Sequence, residues 1–275
     1  MEKKRIVIVG AVALGPKVAC RLKRLQPDYE VIMIDQDEYI SYGGCGIPYF
    51  ISGDVSEVRE LMSTSFHMER NTEFFENTKD VHVKIRTRVL SINRGAKTIR
   101  THDLLTGKEE DLAYDQLVLA TGSVPNRLPV PGADLPEVMH VANLKSAIAV
   151  KEHISRGKVD KAVIVGAGAI GCEMAEALSD LWGIDTTIVE IADQVLPIIL
   201  DRQLARMVQM HMEEKGVDIR LNETVKEIAR GDGDHALRIT TSRGTLDADL
   251  VITSVGVRPN RSEEHTSELQ SRGLI

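Results

Sequence analysis

Cysteine is scarce in this chain. There are three in 275 residues, Cys20, Cys45 and Cys172, too few and too far apart for a disulfide framework. None sits in a CxxC pair or at metal-ligand spacing, so no metal is expected. Basic residues are in deficit: 34 Lys and Arg against 41 Asp and Glu leave a formal net charge of −7. That balance argues against nucleic acid or an anionic membrane as the main partner. Apolar runs stay far short of the roughly 20 residues needed to cross a bilayer. The opening "MEKKRIVIVG" lacks the layout of a signal peptide and runs straight into an apolar strand. Low-complexity segments are missing too. What remains, at 43% hydrophobic and 27% charged, reads as a soluble, cytoplasmic, globular protein long enough for two domains.

What is present is one pattern written twice. "RIVIVG" is a short Ile/Val run ending at Gly10, as a buried parallel strand should be. "GAVALGPKVACRLKRL" turns through Gly10 and Gly15 into an amphipathic helix, with Pro16 suited to its first turn. "EVIMID" is a second buried strand that ends in Asp35, 25 positions after Gly10. Such a turn lets a pyrophosphate reach the helix N-terminus, where free N–H groups and the dipole favour negative charge. The acid can then accept hydrogen bonds from a ribose. Val12 replaces the middle glycine of the GxGxxG pattern here. The second copy is complete: "KAVIVGAGAIGCEMAEAL" carries Gly166, Gly168 and Gly171, and "DTTIVE" ends in Glu190, 24 positions after Gly166. Glycines that serve only tight packing are the alternative for either copy alone; two copies, each with its acid, favour two dinucleotide sites. The expected fold is therefore α/β, with two Rossmann-like domains. Each should be a mainly parallel sheet with helices and a small antiparallel β-element.

A third stretch poses a separate question. "SYGGCGIPYF" places Cys45 in a glycine-rich turn, whereas cysteines kept for packing belong on apolar faces. Together with "IVIVGAVALG", "LVLATGSVPN", "VIVGAGAIGCEMAE" and "VITSVGVRPN", this stretch resembles the flavin-dependent pyridine nucleotide–disulfide oxidoreductases, in the right order over residues 4 to about 260. The resemblance is to their single-cysteine branch, because a second cysteine five residues from Cys45 is missing: position 50 is Phe and position 40 is Ile. It implies FAD on the first unit, held by Gly10, Gly15 and Asp35, with Thr121 and Gly122 approaching its flavin side. It implies NADH on the second unit, held by Gly166, Gly168, Gly171 and Glu190. Cys45 matches the redox cysteine at the start of a helix, and Glu173 a glutamate near the flavin–nicotinamide contact. Cys20 and Cys172 follow the glycine turns on helices that must pack on their sheets, and are read as packing residues.

The implied reaction passes electrons from NADH through FAD to a small sulfur–sulfur substrate such as coenzyme A disulfide, a persulfide or a polysulfide. Ala13 stands where peroxidases and many oxidases of the branch carry a histidine, which favours the sulfur substrate. An oxygen-reducing NADH oxidase is the alternative; a flavin-binding electron carrier or redox sensor is a second, against which Cys45 counts. Lys17, Arg21 and Arg24 could meet coenzyme A phosphates or form a solvated face, and stay outside the site. The expected domains are 1–150 for FAD and 151–260 for NADH. Past "GVRPN", the stretch "RSEEHTSELQS" equals the translation of a common sequencing-library adapter, so residues 261–275 are expected to be non-native. The resemblance then implies a missing return segment of the FAD domain and a missing dimer domain, with a homodimeric parent enzyme.

Overall fold

The computed structural model of the chain describes residues 3–260; the tail at 261–275 lies outside the described residues. The chain opens with β1 (Arg5–Val9), α1 (Leu14–Leu25) and β2 (Glu30–Ile34). A single 3-10 turn at Gly44–Gly46 leads into α2 (Ile47–Ser52), followed by α3 (Val58–Met62) and α4 (Thr72–Lys79). Then come β3 (His82–Lys84), β4 (Thr87–Asn93), β5 (Thr98–Asp103), β6 (Glu109–Ala113) and β7 (Gln116–Leu119). After β8 (Ser123–Pro125) the chain runs through β9 (Val138–Met139), α5 (Leu144–Ser155), β10 (Lys161–Val165) and α6 (Ala169–Glu176). It continues with β11 (Asp185–Val189), α7 (Arg202–Glu214), β12 (Asp218–Arg220), β13 (Val225–Arg230), β14 (Leu237–Thr241), β15 (Thr245–Ala248), β16 (Leu250–Thr253) and β17 (Val257–Pro259).

Packing divides these elements into two compact units: residues 3–43, 59–123 and 259–260 form one, and residues 44–58 and 124–258 the other. This differs from a single boundary near residue 150. Residues 124–150 and the cysteine stretch both pack with the second unit. The physical reason is apolar burial: α2 packs on α5, hiding Ile47, Phe50 and Ile51 on one side and Leu144, Ala147 and Val150 on the other.

The first unit is built on the parallel sheet β3-β2-β1-β7. Side chains alternate across a strand, and both faces are covered. Val7, Ile32 and Ile34 join Ile99 of the antiparallel sheet β4-β5-β6 in one cluster. Ile6, Ile8, Val31 and Met33 join Ala19 of α1 and Phe75 of α4 in the other. That is why β1 and β2 read as unbroken apolar runs instead of alternating ones. Each Ile or Val fully removed from water stabilises the fold by roughly 1.5–3 kcal/mol.

The second unit repeats the plan. Its parallel sheet is β12-β11-β10-β16-β9. Val163, Val165, Val189 and Val251 pack against Val225, Ile228, Leu237 and Ile239 of the antiparallel sheet β13-β14-β15. Ile164, Ile188, Ile252, Met174 and Leu178 are also buried, and α6 packs on β10 and β11. The expected α/β architecture, with two Rossmann-like sheets and small antiparallel additions, is what the chain adopts. Among the described residues no helix is long and apolar enough to cross a membrane.

Candidate nucleotide-binding turns and the exposed cysteine

Sheet register brings the predicted residues of each copy together. Val9 is aligned with Ile34 on one side and Leu119 on the other. The next residues along, Gly10, Asp35 and Ala120, therefore leave the sheet side by side, followed by Thr121 and Gly122. In the second unit Val165 is aligned with Val189 and Thr253, so Gly166, Glu190 and Ser254 emerge in the same relation. These are the carboxyl ends of parallel strands, where open α/β sheets hold their ligands.

The glycines differ in what they do. Gly10 has φ +105°, and a methyl group there would lie 2.1 Å from the Ala120 carbonyl oxygen. Gly166 has φ +104°, with the Ser254 oxygen 2.6 Å from the same notional methyl group. Both positions are closed to any side chain. Gly15 and Gly171 bring the helix close to its own turn: an added methyl group would meet the Gly10 oxygen at 1.8 Å and the Gly166 oxygen at 2.0 Å. Gly168 is unlike these. Its backbone lies at φ −74° and ψ −176°, which any residue adopts, and an added methyl group would meet nothing within 4 Å. Protein packing does not explain a glycine there.

Helix capping separates α1 and α6 from the others. Of the five described helices with eight or more residues, α4, α5 and α7 are capped by the side chains of Asn71, Asn143 and Asp201. Neither α1 nor α6, the two that follow glycine turns, has a side-chain cap. Their first-turn N–H groups are left for another acceptor, and an anion is the natural one.

Both strand-end acids brace their own glycine turn, a role that pattern reading missed. Asp35 accepts from the Ala11 N–H at 2.7 Å through one oxygen and from the Asp37 N–H at 2.9 Å through the other. Glu190 does the same with the Ala167 N–H at 2.6 Å and the Ala192 N–H at 2.8 Å. The extra methylene of Glu and the shorter spacing offset each other. Burial raises the Asp35 carboxyl above its ordinary pKa, and the Asp37 and Ala11 N–H groups oppose that rise. Each carboxylate oxygen keeps a second lone-pair site, so ribose hydroxyls can still be accepted.

Ser254 was also missed. Its hydroxyl donates to the Gly166 carbonyl oxygen at 2.8 Å and holds the second turn. The signal was present: "ATGSVPN" and "SVGVRPN" share the pattern GxxPN one position after the strand-end pair. Gly122 and Gly256 both have positive φ, +69° and +86°. Thr121 donates its hydroxyl to the Asn260 carbonyl oxygen at 2.7 Å, and the Asn260 N–H donates to the Gly122 oxygen at 2.9 Å. In the other unit the Asn126 N–H donates to the Gly256 oxygen, also at 2.9 Å.

Cys45 is exposed. It lies in the 3-10 turn immediately before α2, not within the helix itself. Glu173 is two residues past Gly171 on α6 and lines a small cavity with Pro48, Tyr49, Ser52, Asp54 and Glu176. Partial burial first, and the charge of Glu176 second, raise the pKa of its carboxyl. Cys172 is buried, and burial together with the charges of Glu190 and Glu173 pushes its thiol up to about 11. At pH 8 Cys172 therefore stays almost wholly in the thiol form, whereas the thiolate is the reactive one. Iodoacetamide at pH 8 is therefore expected to label Cys45 at least tenfold faster than Cys172, as read by peptide mass spectrometry. Equal rates would contradict the burial.

Known proteins supply the remaining comparison. An NADH oxidase of Methanocaldococcus jannaschii is 32% identical over 93% of this chain and 55% of its own length. An NAD(P)H sulfur oxidoreductase (CoA-dependent) of Pyrococcus furiosus is 30% identical over 94% of this chain and 55% of its own. The structure of an NAD-dependent persulfide reductase from A. fulgidus superposes with a TM-score of 0.87 at 35% identity, over 93% of this chain and 46% of that one. The chain thus spans about half the length of the relatives it matches. The sequence profile of one family covers residues 4–275, and with that breadth of match this chain belongs to the pyridine nucleotide-disulphide oxidoreductases.

Proposed function

We propose that this chain is part of a flavoprotein reductase that carries electrons from NADH through FAD to a sulfur–sulfur substrate, with Cys45 as its single redox thiol. The observation that carries the reading is the exposed Cys45 between two glycines, in a chain whose two glycine-turn helices both lack side-chain caps. Gly10, Gly15 and Asp35 would hold the ADP part of FAD, with Thr121 and Gly122 toward its flavin; Gly166, Gly168, Gly171 and Glu190 would hold NADH. The uncapped first turns and the open face of Gly168 fit pyrophosphates, as the donor chemistry requires. FAD, when bound, supplies the two-electron relay between nicotinamide and sulfur.

The part played by this chain's own thiol follows from disulfide exchange. The Cys45 thiolate attacks one sulfur of the substrate, forms a mixed disulfide and expels the other half as a thiolate. Two electrons then return the mixed disulfide to the Cys45 thiolate and release the second half. A glycine on each side leaves the sulfur open to a bulky disulfide or persulfide partner. Glu173, with its raised pKa, is the acid nearest in sequence to the second turn and is assigned to the nicotinamide end. A cytoplasmic homodimer is proposed for the whole enzyme, with a small disulfide, persulfide or polysulfide as partner.

Oxygen reduction is the second reading, favoured by the name of the M. jannaschii relative. Anaerobic NADH consumption by the full-length protein separates the two. Turnover that starts only on adding coenzyme A disulfide or polysulfide supports the first; turnover that needs air supports the second.

NADH should be preferred over NADPH. Glu190 is 7% exposed and held at the end of β11, and Ile191, Ala192 and Asp193 bring no positive charge beside it. Like charges about 4 Å apart cost on the order of 4 kcal/mol at an effective dielectric of 20. Ratios of kcat/KM in the full-length enzyme should differ at least tenfold; equal use of the two would refute the assignment of Glu190.

A further inference from the structure

The segment that follows Cys45 is short. With six residues, α2 spans only about 9 Å, and such a helix cannot satisfy the carbonyls of its own last turn. The oxygen of Tyr49 is taken locally, by the N–H groups of Gly53 and Val55 at 3.2 and 2.9 Å. The Ile51 carbonyl is taken from far away in sequence: the Trp182 indole N–H donates to it at 2.8 Å. Ile51 is fully buried, so losing that donor would strand a polar atom away from water.

Trp182 reaches this place because α6 does not end as an ordinary helix. Residues Ala177–Leu181 form a π-helical turn, in which each ring holds one residue more than an α turn. Residues beyond it are therefore rotated relative to a continuous α-helix. Gly183 follows at φ +63°, and the Ile184 N–H closes the end onto the Leu178 oxygen at 3.1 Å. The chain is thus locked on both sides of the tryptophan. On α2 a second restraint acts: the Lys151 ammonium of α5 stands 4.1 Å above the Phe50 ring, a cation–π contact.

We propose that Trp182 is a positioning residue for Cys45: through the Ile51 carbonyl it fixes the short helix that directly follows the thiol-bearing turn. The same α6 that begins at the second glycine turn thereby sets where the thiol stands. This rests on the reading of Cys45 as the redox thiol only for its consequence in turnover. The restraint of α2 by the Trp182 indole is independent of it.

The test is Trp182→Phe in the 275-residue chain, which keeps an aromatic ring and removes the N–H. Amide hydrogen exchange at Gly53 and Val55 should speed up at least threefold, and the rate of Cys45 alkylation by iodoacetamide should change at least threefold. Cys172 alkylation is the control for general loosening and should stay the same. A second measurement needs no variant: Trp182 is the only tryptophan in the sequence, so alkylating Cys45 should shift the tryptophan emission. Unchanged exchange and alkylation in Trp182→Phe, or an emission spectrum indifferent to Cys45 alkylation should the variant not fold, would overturn the proposal. In the full-length enzyme, Trp182→Phe should lower kcat for the disulfide several-fold with little change in KM for NADH. If Cys45→Ser retains turnover while these exchange effects hold, the redox reading fails and the positioning stands. If Cys45→Ser is inactive and Trp182→Phe is silent in every readout, only the positioning fails.

Discussion

Cys45→Ser in the full-length enzyme is expected to lose disulfide and persulfide reduction by about a thousandfold or more, while its reduction by NADH continues at close to the normal rate. The two half-reactions need different groups. Nicotinamide oxidation needs only the two nucleotides held in register, whereas sulfur exchange needs a thiolate, and a serine hydroxyl at neutral pH is a far weaker nucleophile. Removal of a sole nucleophile commonly costs many orders of magnitude. The structure adds that the substitution carries little folding cost, because Cys45 is exposed and lies outside the core clusters. Stopped-flow reduction together with a thiol-release assay reads the two halves separately. Retained thiol release would remove Cys45 from the mechanism.

Gly168→Ala should give an opposite dissociation, between folding and binding. A methyl group at Gly168 meets no protein atom within 4 Å, and φ −74° suits alanine. Changing this N-cap glycine to alanine should cost about 1 kcal/mol or less, a melting shift of about 4 °C or less for a unit of this size. Yet a pyrophosphate seated on the first turn of α6 would come against that methyl group. NADH affinity should therefore fall between about tenfold and a hundredfold, about 1.4–2.7 kcal/mol. Gly171→Ala makes the control: its methyl group would lie 2.0 Å from the Gly166 oxygen and 2.7 Å from the Ser254 hydroxyl, so folding and binding should fail together. Calorimetric titration with NADH and thermal melts of both variants give the comparison. Wild-type affinity in Gly168→Ala would mean that no nucleotide crosses that glycine.

Much of the fold was legible because burial and backbone geometry leave local marks. Strand positions hidden on both faces must be apolar, so the runs "IVIV" at 6–9 and "AVIV" at 162–165 announced themselves. A turn that approaches a carbonyl within 3 Å must be glycine, so Gly10, Gly15, Gly166 and Gly171 stood out. The two acids were legible by position but not by action: that Asp35 and Glu190 clamp the N–H groups of Ala11 and Ala167 depends on side-chain geometry that spacing does not encode. Ser254 stayed hidden for a related reason, since a lone serine after a strand has many uses.

By itself, the amino-acid sequence determined the two parallel sheets, their glycine turns, their terminal acids and the exposed thiol. The strand–turn–helix–strand unit at the start of each sheet lies within some 30 residues of chain, where backbone sterics and alternation of side chains rule, although β7 and β16 join those sheets from much further along. Only the tertiary structure decided where Cys45 belongs. Its segment, at 44–58, packs with α5 and the π turn at Ala177–Leu181, more than 90 residues away in the chain. Apolar burial between α2 and α5, and a single indole N–H on the Ile51 carbonyl, make that choice, and both are contacts between surfaces that no local pattern can pair.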